Sequence, residues 1–482
     1  KLKVPKDWNT YEPTLMQRHF ATKILEKKYY GNFSGTGAGK TLSALLSSRL
    51  LNSKMTLIVC PNGVVTQWEE VIRDTFSDFT VIKKEDAFEV KRDNSKFQYL
   101  IINYDQFNQG DRTNNRIKKL GSQKIDYVIL DEIHFSKTTN YEHKSQRRDF
   151  LDKLLSLIRE KNPKWKVVGL SATPVVNNLA EGRSLLELIT GQEYGDELSD
   201  EPTTRNAMRL RQRFVIMSIR EEPRYALPII SESNVTATIP LDLQIRNLNT
   251  DKLVIEQLCT EKRIKKIIKK LKKNQKNIVY TEFVGGRIEG KPTIIQMLDN
   301  EITKAGFKCR RYTGDDHTGK DAFVKDKTVK VLLATKPIST GVDDLQKVCH
   351  NMVFNNLPWT HALYTQIVGR LVRKKQKHRV KLHHVIADVE YDGQTFTYDQ
   401  KRLDAIESKK TTLDCVVSGI LPETARVGKD TITKSLRGWI KRIQDGRRMD
   451  LIRPYRIYDI TAAEIQRRKR KFGDFENITV PL

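Results

Sequence analysis

No stretch of this 482-residue chain approaches the roughly 18–20 consecutive apolar residues that a membrane-spanning helix needs. Its first residues, KLKVPKDWNTYEP, hold no apolar core of a secretion signal. Only five cysteines occur (Cys60, Cys259, Cys309, Cys349, Cys415), far apart and with no C-x-x-C pair. That spacing excludes a disulfide framework and points to a reducing, intracellular compartment without structural zinc. There is no short-period repeat and no low-complexity tract. A nuclease constellation is missing too: no P-D…E-x-K cluster, and His383-His384 lack sequence-near partners. Acidic residues are scarce, with 59 Asp plus Glu against 86 Lys plus Arg and a formal charge of +27. A surplus that large favours a polyanionic partner; nucleic acid is the commonest, and no lone basic amphipathic helix marks a membrane surface instead. The chain begins without Met, as a piece cut from a longer protein would.

What is present reads as α/β. TLIVC (56–60), YLIINY (99–104), YVIL (127–130) and KVVGL (166–170) are short apolar runs, each followed by turn residues and a helical pattern. Such runs predict buried strands of a parallel sheet in a doubly wound domain. The pattern breaks between about 180 and 250, a polar stretch interrupted by Pro202, Pro223, Pro228 and Pro240. A helical insertion and linker are expected there. A second series follows: a helix near 252–274 with Ile264, Ile267, Ile268 and Leu271 on one face, then NIVYTEF (277–283), VKVLLAT (329–335) and HNMVF (350–354). Beyond 380, Asp392-Gly393 between alternating residues predicts a hairpin, and a charged helix follows near 399–412. Residues 429–482 hold 14 Lys or Arg against 7 Asp or Glu. The expected organisation is a first lobe over 1–180, an insertion and linker over 181–240, a second lobe over 241–390 and a small basic extension over 391–482.

The most informative local pattern is SGTGAGKT (34–41). Glycines let backbone N–H groups approach phosphate oxygens, so Gly35, Thr36, Gly37, Ala38 and Gly39 are the expected cradle. Lys40 can reach the β and γ phosphates of ATP, Thr41 can place its hydroxyl on Mg²⁺, and the helix that starts here points its positive end at the anion. Ser34 stands where the strict pattern has Gly. LDEIH (130–134) closes an apolar strand 91 residues after Lys40. Asp131 is the candidate Mg²⁺ ligand and Glu132 the base that orients and deprotonates water, since phosphoryl transfer needs mostly positioning and charge neutralisation. In QIVGRLVRKKQ (366–376), Arg370 and Arg373 stand three apart, on one face if the segment is helical. Across a cleft from Lys40, their forks would neutralise charge on the γ-phosphate only when two lobes close.

These motifs occur in the order typical of superfamily 2 helicases, and within that group the chain most resembles the Swi/Snf-like translocases. LMQRHF (15–20) resembles the stretch whose Gln reads adenine, which nominates Gln17. TLIVCPNGVVTQWEEVI (56–72), LSATPVVNNLAE (170–181), STGVDDL (339–345) and LPWTHALYTQIVGRLVR (357–373) resemble further motifs of the family. Two departures stand out: Gly-Ala-Gly-Lys-Thr for the usual Gly-Leu-Gly-Lys-Thr, and Asp343 or Asp344 where Asn is usual. The segment 398–419 resembles, more weakly, C-terminal parts of some phage and large-virus helicases.

The resemblance implies two RecA-like lobes with ATP between them and translocation along duplex DNA without strand separation. It assigns coupling to His134, Ser171, Thr173, Gly341, Asp343 and Gln366. Nucleic-acid contacts are expected in loops after strands: Asn62, Thr66, Gln67, Tyr104, Thr335, Lys336 and Thr340, mostly on phosphates because a motor steps on any sequence. Trp68 shares helical spacing with Val71 and Ile72, which favours core packing. Trp359 stays open between lobe packing and nucleic-acid contact, as does Arg467–Lys471 between phosphate binding and a solvated helix end. Competing readings are a strand-separating DNA or RNA helicase, a scaffold with a dead ATPase, and the motor module of a restriction or defence system. The intact set Lys40, Asp131, Glu132, Arg370 and Arg373 opposes the scaffold.

Overall fold

Apolar runs too short for helices pair side by side into two seven-stranded sheets among the described residues. The computed structural model describes residues 2–107, 111–136, 145–240, 248–340 and 344–420. The first sheet contains β1 (Tyr29–Asn32), β2 (Met55–Cys60), β3 (Thr80–Lys83), β4 (Gln98–Asn103), β5 (Tyr127–Asp131), β6 (Lys166–Leu170) and β7 (Ser218–Ile219). Its order is β3-β4-β2-β5-β6-β1-β7, and the pairs are parallel. Successive side chains of a strand point to opposite faces. Leu57 and Val59 of β2 accordingly join one apolar cluster while Ile58 and Cys60 join another. Helices α1 (Leu15–Glu26), α2 (Lys40–Leu50), α3 (Val65–Thr75), α4 (Asp111–Gly121), α5 (Gln146–Lys161), α6 (Leu179–Thr190) and α7 (Thr204–Met217) accompany it.

The second sheet contains β8 (Ile229–Thr238), β9 (Lys276–Tyr280), β10 (Cys309–Tyr312), β11 (Val331–Ala334), β12 (Cys349–Phe354), β13 (Lys381–Tyr391) and β14 (Gln394–Phe396). Its path is β10-β11-β9-β12-β13-β14, with β8 also on β13. Helices α8 (Leu248–Lys270), α9 (Ile294–Lys304), α10 (Gly319–Lys325), α11 (Leu345–Val348), α12 (His361–Val368) and α13 (Tyr398–Leu413) belong to this half. The expected hairpin is β13–β14, antiparallel from Val389↔Phe396 to Tyr391↔Gln394. Asp392 and Gly393 both take positive φ, 48° and 67°, the backbone that a two-residue hairpin turn matching strand twist requires.

Three expectations change. Residues 181–217 are helical, but they are not a separate insertion. Leu185, Leu186, Leu188 and Ile189 of α6 and Ala207, Leu210 and Phe214 of α7 sit in the first lobe's core, and β7 extends its sheet beside β1. Residues 229–238 are not linker: IISESNVTAT pairs with β13 over ten parallel positions. Serines and threonines concealed this strand because its outer flank faces solvent and needs few apolar side chains. Finally, the described part of 391–482 is no appended extension. After β14, α13 packs Ile406 into the second lobe, then Leu413, Cys415, Val416 and Val417 enter the first lobe's core. Arg211 Nη1 donates to the Val417 carbonyl at 2.7 Å. The chain thus returns to pin the lobes together. The basic segment 429–482, with Arg467–Lys471, lies outside the described residues.

A buried ionic network fixes α13 on α8. Glu256, Arg263, Asp399 and Arg402 are at most 1% exposed. Arg263 bonds Glu256 and Asp399, and Arg402 bonds Glu256. Tyr398 Oη and Asn356 Nδ2 complete the shell of Glu256 at 2.9 and 3.0 Å. Burial alone would favour the neutral acid, but Arg402 and Arg263 prevail and bring Glu256 down to about 2. Its contribution is therefore full above the unfolded value of about 4.3 and is lost as pH falls towards 2. Glu256→Ala takes the nearest carboxylate from buried Arg402 and leaves buried Arg263 with Asp399 alone, so a urea titration at pH 7 should show a loss of about 3–5 kcal/mol. A loss under ~1 kcal/mol would remove this network from the account.

Candidate active site

The glycine-rich loop joins β1 to α2. Asn32, fully buried at the end of β1, sets its start: its amide donates to Ser43 Oγ at 2.9 Å and accepts from the Ser34 N–H at 3.2 Å. Gly37 and Gly39 take φ of 80° and 86°, a region where a β-carbon clashes and glycine does not. Lys40 opens α2, and its ammonium folds back onto the carbonyls of Ser34 (2.9 Å) and Gly35 (3.2 Å). Desolvation lowers its pKa, against the attraction of Glu132 and Asp131. Gln17 Nε2 donates to the Gly39 carbonyl at 3.1 Å, while its Oε1 closes the capping box of α1 with Thr14. Thr36, Ala38 and Thr41 line the same turn, half-buried.

Asp131 ends β5 facing this loop. Burial and the adjacent Glu132 push its carboxyl up to about 7; a divalent cation would favour the ionised form. Trp68 Nε1 donates to Asp131 Oδ2 at 2.8 Å, and Tyr104 Oη donates to the Asp131 carbonyl at 2.9 Å. Trp68 therefore packs in the core, as its spacing predicts, and also aims the carboxylate. Glu132 is held at φ 45°, unusual for a side chain with a β-carbon. Strain of that kind persists where surroundings over-determine it. Burial opposes its ionisation, but His134, Lys40 and Arg370 hold its pKa below the ordinary glutamate value. His134 Nδ1 lies 3.3 Å from Glu132 Oε2 and 3.0 Å from Ser171 Oγ. Ser171 Oγ also accepts from the Thr173 N–H at 3.0 Å. The Asp-Glu-x-His segment and the Ser-Ala-Thr segment thus meet through one imidazole.

The arginine pair comes to the same cleft. A β-carbon on Gly369 would sit 3.0 Å from Thr36 Cγ2, and one on Gly63 3.7 Å from Thr340 Oγ1, so the lobes touch at the glycine-rich loop. Arg370 is among the charges that stabilise ionised Glu132, and its guanidinium bonds the Ser339 carbonyl. Arg373 lines a cavity of ≈ 270 Å³ with Gly37, Asp344, Gln346 and Lys347. A larger one, ≈ 500 Å³, lies along α7 and touches none of these residues. One geometric expectation fails: α12 ends at Val368, and both arginines sit on the turns that follow, not on a shared helix face.

No motif signals what covers the loop. Residues 219–225, between β7 and the second lobe, run across it. Gly35 N–H donates to the Glu221 carbonyl at 2.8 Å, Glu221 N–H to Ser34 Oγ at 3.0 Å, and Tyr225 Oη to the Gly37 carbonyl at 3.4 Å. Ser34, the departure from the usual glycine, is thus the anchor of this crossing. The Glu222 carboxylate sits where a β-carbon on Gly35 would lie 2.2 Å away. This carboxylate is ion-paired with Arg220, and the part of its charge that remains opposes a triphosphate by about 0.5–1 kcal/mol once solvent screening is allowed for. Glu222→Ala should lower KM for ATP two- to fivefold and leave kcat within twofold; an unchanged or raised KM would refute this competition.

Among the nucleic-acid candidates, Asn62, Thr66 and Lys336 are exposed and Gln67 and Thr340 half-buried. Tyr104 and Thr335 are 1% and 3% exposed and cannot reach a phosphate in this conformation. Trp359 stacks between Lys252 Nζ, 3.3 Å from its ring centre, and Arg402 Cζ, 4.1 Å away, which makes it a packing residue of the second lobe. Gln366 is buried on α12. Gly341 and Asp343 lie outside the described residues. His383 and His384 do have partners, Ser231 with Asn351 and Tyr364 respectively.

Residues 10–176 match the family model described as the res subunit of type III restriction enzymes, and residues 259–375 match the helicase conserved C-terminal domain. Protein CHROMATIN REMODELING 19 of Arabidopsis thaliana is 30% identical over 182 residues, 34% of this chain but 22% of its own. Among solved structures, the Sulfolobus solfataricus SWI2/SNF2 ATPase core in complex with dsDNA is 17% identical, with 87% of this chain and 96% of that chain covered and a TM-score of 0.39. Mycobacterium smegmatis helicase Lhr bound to ssDNA and AMP-PNP is 15% identical, with 85% and 49% covered and a TM-score of 0.48. Two helicase domains in tandem, each on its own parallel-sheet lobe, place the chain in helicase superfamily 2. Its plant relative, similar over 182 residues, and its motif wording resemble the Swi/Snf-like branch of that superfamily. No helix of the described residues is long and apolar enough to cross a membrane.

Proposed function

We propose that the protein is an ATP-driven motor that moves along duplex DNA. The observation that carries this reading is the second lobe's Gly369 abutting Thr36 of the glycine-rich loop, with the next residue, Arg370, among the charges that favour ionised Glu132. A hydrolytic centre divided between two lobes completes only when they close, which is how nucleotide chemistry becomes movement. In this scheme the loop from Gly35 to Gly39 cradles the phosphates, Lys40 neutralises them and Gln17 reads the base. Glu132 accepts the proton of the attacking water, and Arg370 and Arg373 offset charge on the transferred group. Thr41 and Asp131 suit Mg²⁺: both are oxygen donors at the loop, one carboxylate aimed by Trp68. When bound, the ion supplies charge neutralisation at the phosphates.

His134 links Glu132 to Ser171 and Thr173, so the state of the base reaches the strand ends that face nucleic acid; Gln366, Gly341 and Asp343 are the second lobe's counterparts. Asn62, Gln67, Lys336 and Thr340, which follow β2 and β11, would contact a phosphate backbone that crosses both lobes. The basic surplus supports the polyanion. A second reading, the motor part of a restriction or defence assembly, draws on the match of residues 10–176. Triplex displacement separates duplex translocation from strand separation. The motor should expel a third strand with ATP and leave a forked duplex paired; the reverse outcome would make it an unwinding helicase.

A further inference from the structure

Between residues 262 and 281 the chain has eight lysines, one arginine and no acidic residue. The arginine, Arg263, points inward to Glu256 and Asp399, and Lys276 is taken up by the carbonyls of Phe323 and Asp326. Lys262, Lys265, Lys266 and Lys269 remain exposed on α8, and Lys272 and Lys273 on the turn behind it. None of these six has an ion-pair partner among the described residues. Nearby acids are engaged elsewhere, Glu261 by Lys291 at 2.7 Å and Asp326 by Lys308 at 3.1 Å. Positions i, i+3, i+4 and i+7 of a helix share one face, so the four helical lysines form a stripe about 10 Å long.

Lysines at the end of a helix also favour its dipole, but that effect fades beyond the last turn and does not account for Lys262 or Lys265. Beside the stripe, burial first, then Lys270, Lys272 and Lys381, bring His383 down to about 4.

The ridge is far from the cleft. It flanks the amino end of β9 at Lys276, whereas the lobe contacts and Arg370 gather beyond the carboxyl ends of the strands. A five-residue strand spans about 16 Å, so the amino end of β9, which the ridge flanks, and the cleft lie at opposite ends of the strands. We propose that this lysine ridge docks the phosphate backbone of a second stretch of duplex DNA, outside the track on which the motor steps. Ammonium groups act as point charges and grip phosphates without reading sequence. No exposed large apolar side chain stands among the described side chains of α8, which sets the ridge apart from a membrane-inserting face. The inference goes beyond the motor reading, and its binding readout needs no nucleotide.

The test uses the full chain with Lys262→Gln, Lys265→Gln, Lys266→Gln and Lys269→Gln together, a change that keeps helix-forming side chains. The comparison variant carries Lys28→Gln, Lys118→Gln, Lys161→Gln and Lys164→Gln, four exposed lysines of the first lobe. Binding to a 60-base-pair duplex is measured from 50 to 200 mM salt, with circular dichroism to verify folding. The ridge variant should bind at least tenfold more weakly at 50 mM, and its log–log salt slope should be shallower by about 0.9 for each phosphate the lysines no longer neutralise. Its ATP turnover at a saturating 15-base-pair duplex should stay within twofold of the parent. An equal loss in the comparison variant would overturn the proposal, leaving only net charge. So would an unchanged slope, or a loss of binding to phosphatidylserine vesicles with none to DNA.

Discussion

Glu132→Gln should bind ATP within about threefold of the parent while its turnover falls by about 10²–10⁴, the range a positioned general base contributes. Gln matches the size of Glu and keeps the backbone at φ 45°, but it cannot accept a proton. The contacts that hold nucleotide in the proposed scheme, Lys40 and the loop glycines, are untouched. The environment already favours the ionised base, since His134, Lys40 and Arg370 outweigh burial. His134 would keep a hydrogen-bonding partner in the variant, so the Ser171 link survives. Fluorescent-nucleotide binding beside steady-state phosphate release checks both halves. More than a tenth of parental turnover would remove Glu132 from the role of base.

Arg370→Ala should leave nucleotide affinity near normal and reduce nucleic-acid-stimulated hydrolysis by about 10³, the lower end for an arginine that neutralises a transferring phosphoryl group. The guanidinium bonds the Ser339 carbonyl in its own lobe yet already acts on Glu132 across the cleft. Arg370→Lys should rescue little, because a single ammonium cannot reproduce the planar fork. The same variant should show nearly parental turnover without nucleic acid, when the lobes do not close productively. Full stimulation by duplex DNA in Arg370→Ala would refute the division of the site between lobes.

The parts of this site that are legible in the sequence are those written in a few adjacent residues. A glycine-rich turn, an Asp-Glu pair ending a strand and an Arg-x-x-Arg segment each carry their chemistry locally. Strands such as Lys166–Leu170 are equally plain, because both faces of a central strand are buried and the run after the lysine is apolar. What the sequence conceals depends on distant partners. Trp68 aims Asp131 from 63 positions away, and Ser34 holds Glu221 from 187 positions away. The edge strand Ile229–Thr238 reads as linker because only its partner β13 makes it a strand. The route of Leu413–Val417 back into the first core is hidden for a related reason. Apolar residues after a charged helix do not reveal which lobe they enter. Tyr104 and Trp359 are hard to place because aromatic side chains near motif loops suit stacking on bases or packing equally well until burial is known.

The most direct test is ATP turnover measured in parallel with no nucleic acid, duplex DNA, single-stranded DNA and RNA. The account predicts slow turnover alone and the largest stimulation with duplex DNA, abolished in Arg370→Ala. Equal rates under all four conditions would contradict it, because a centre completed by nucleic-acid-driven closure cannot ignore whether nucleic acid is there.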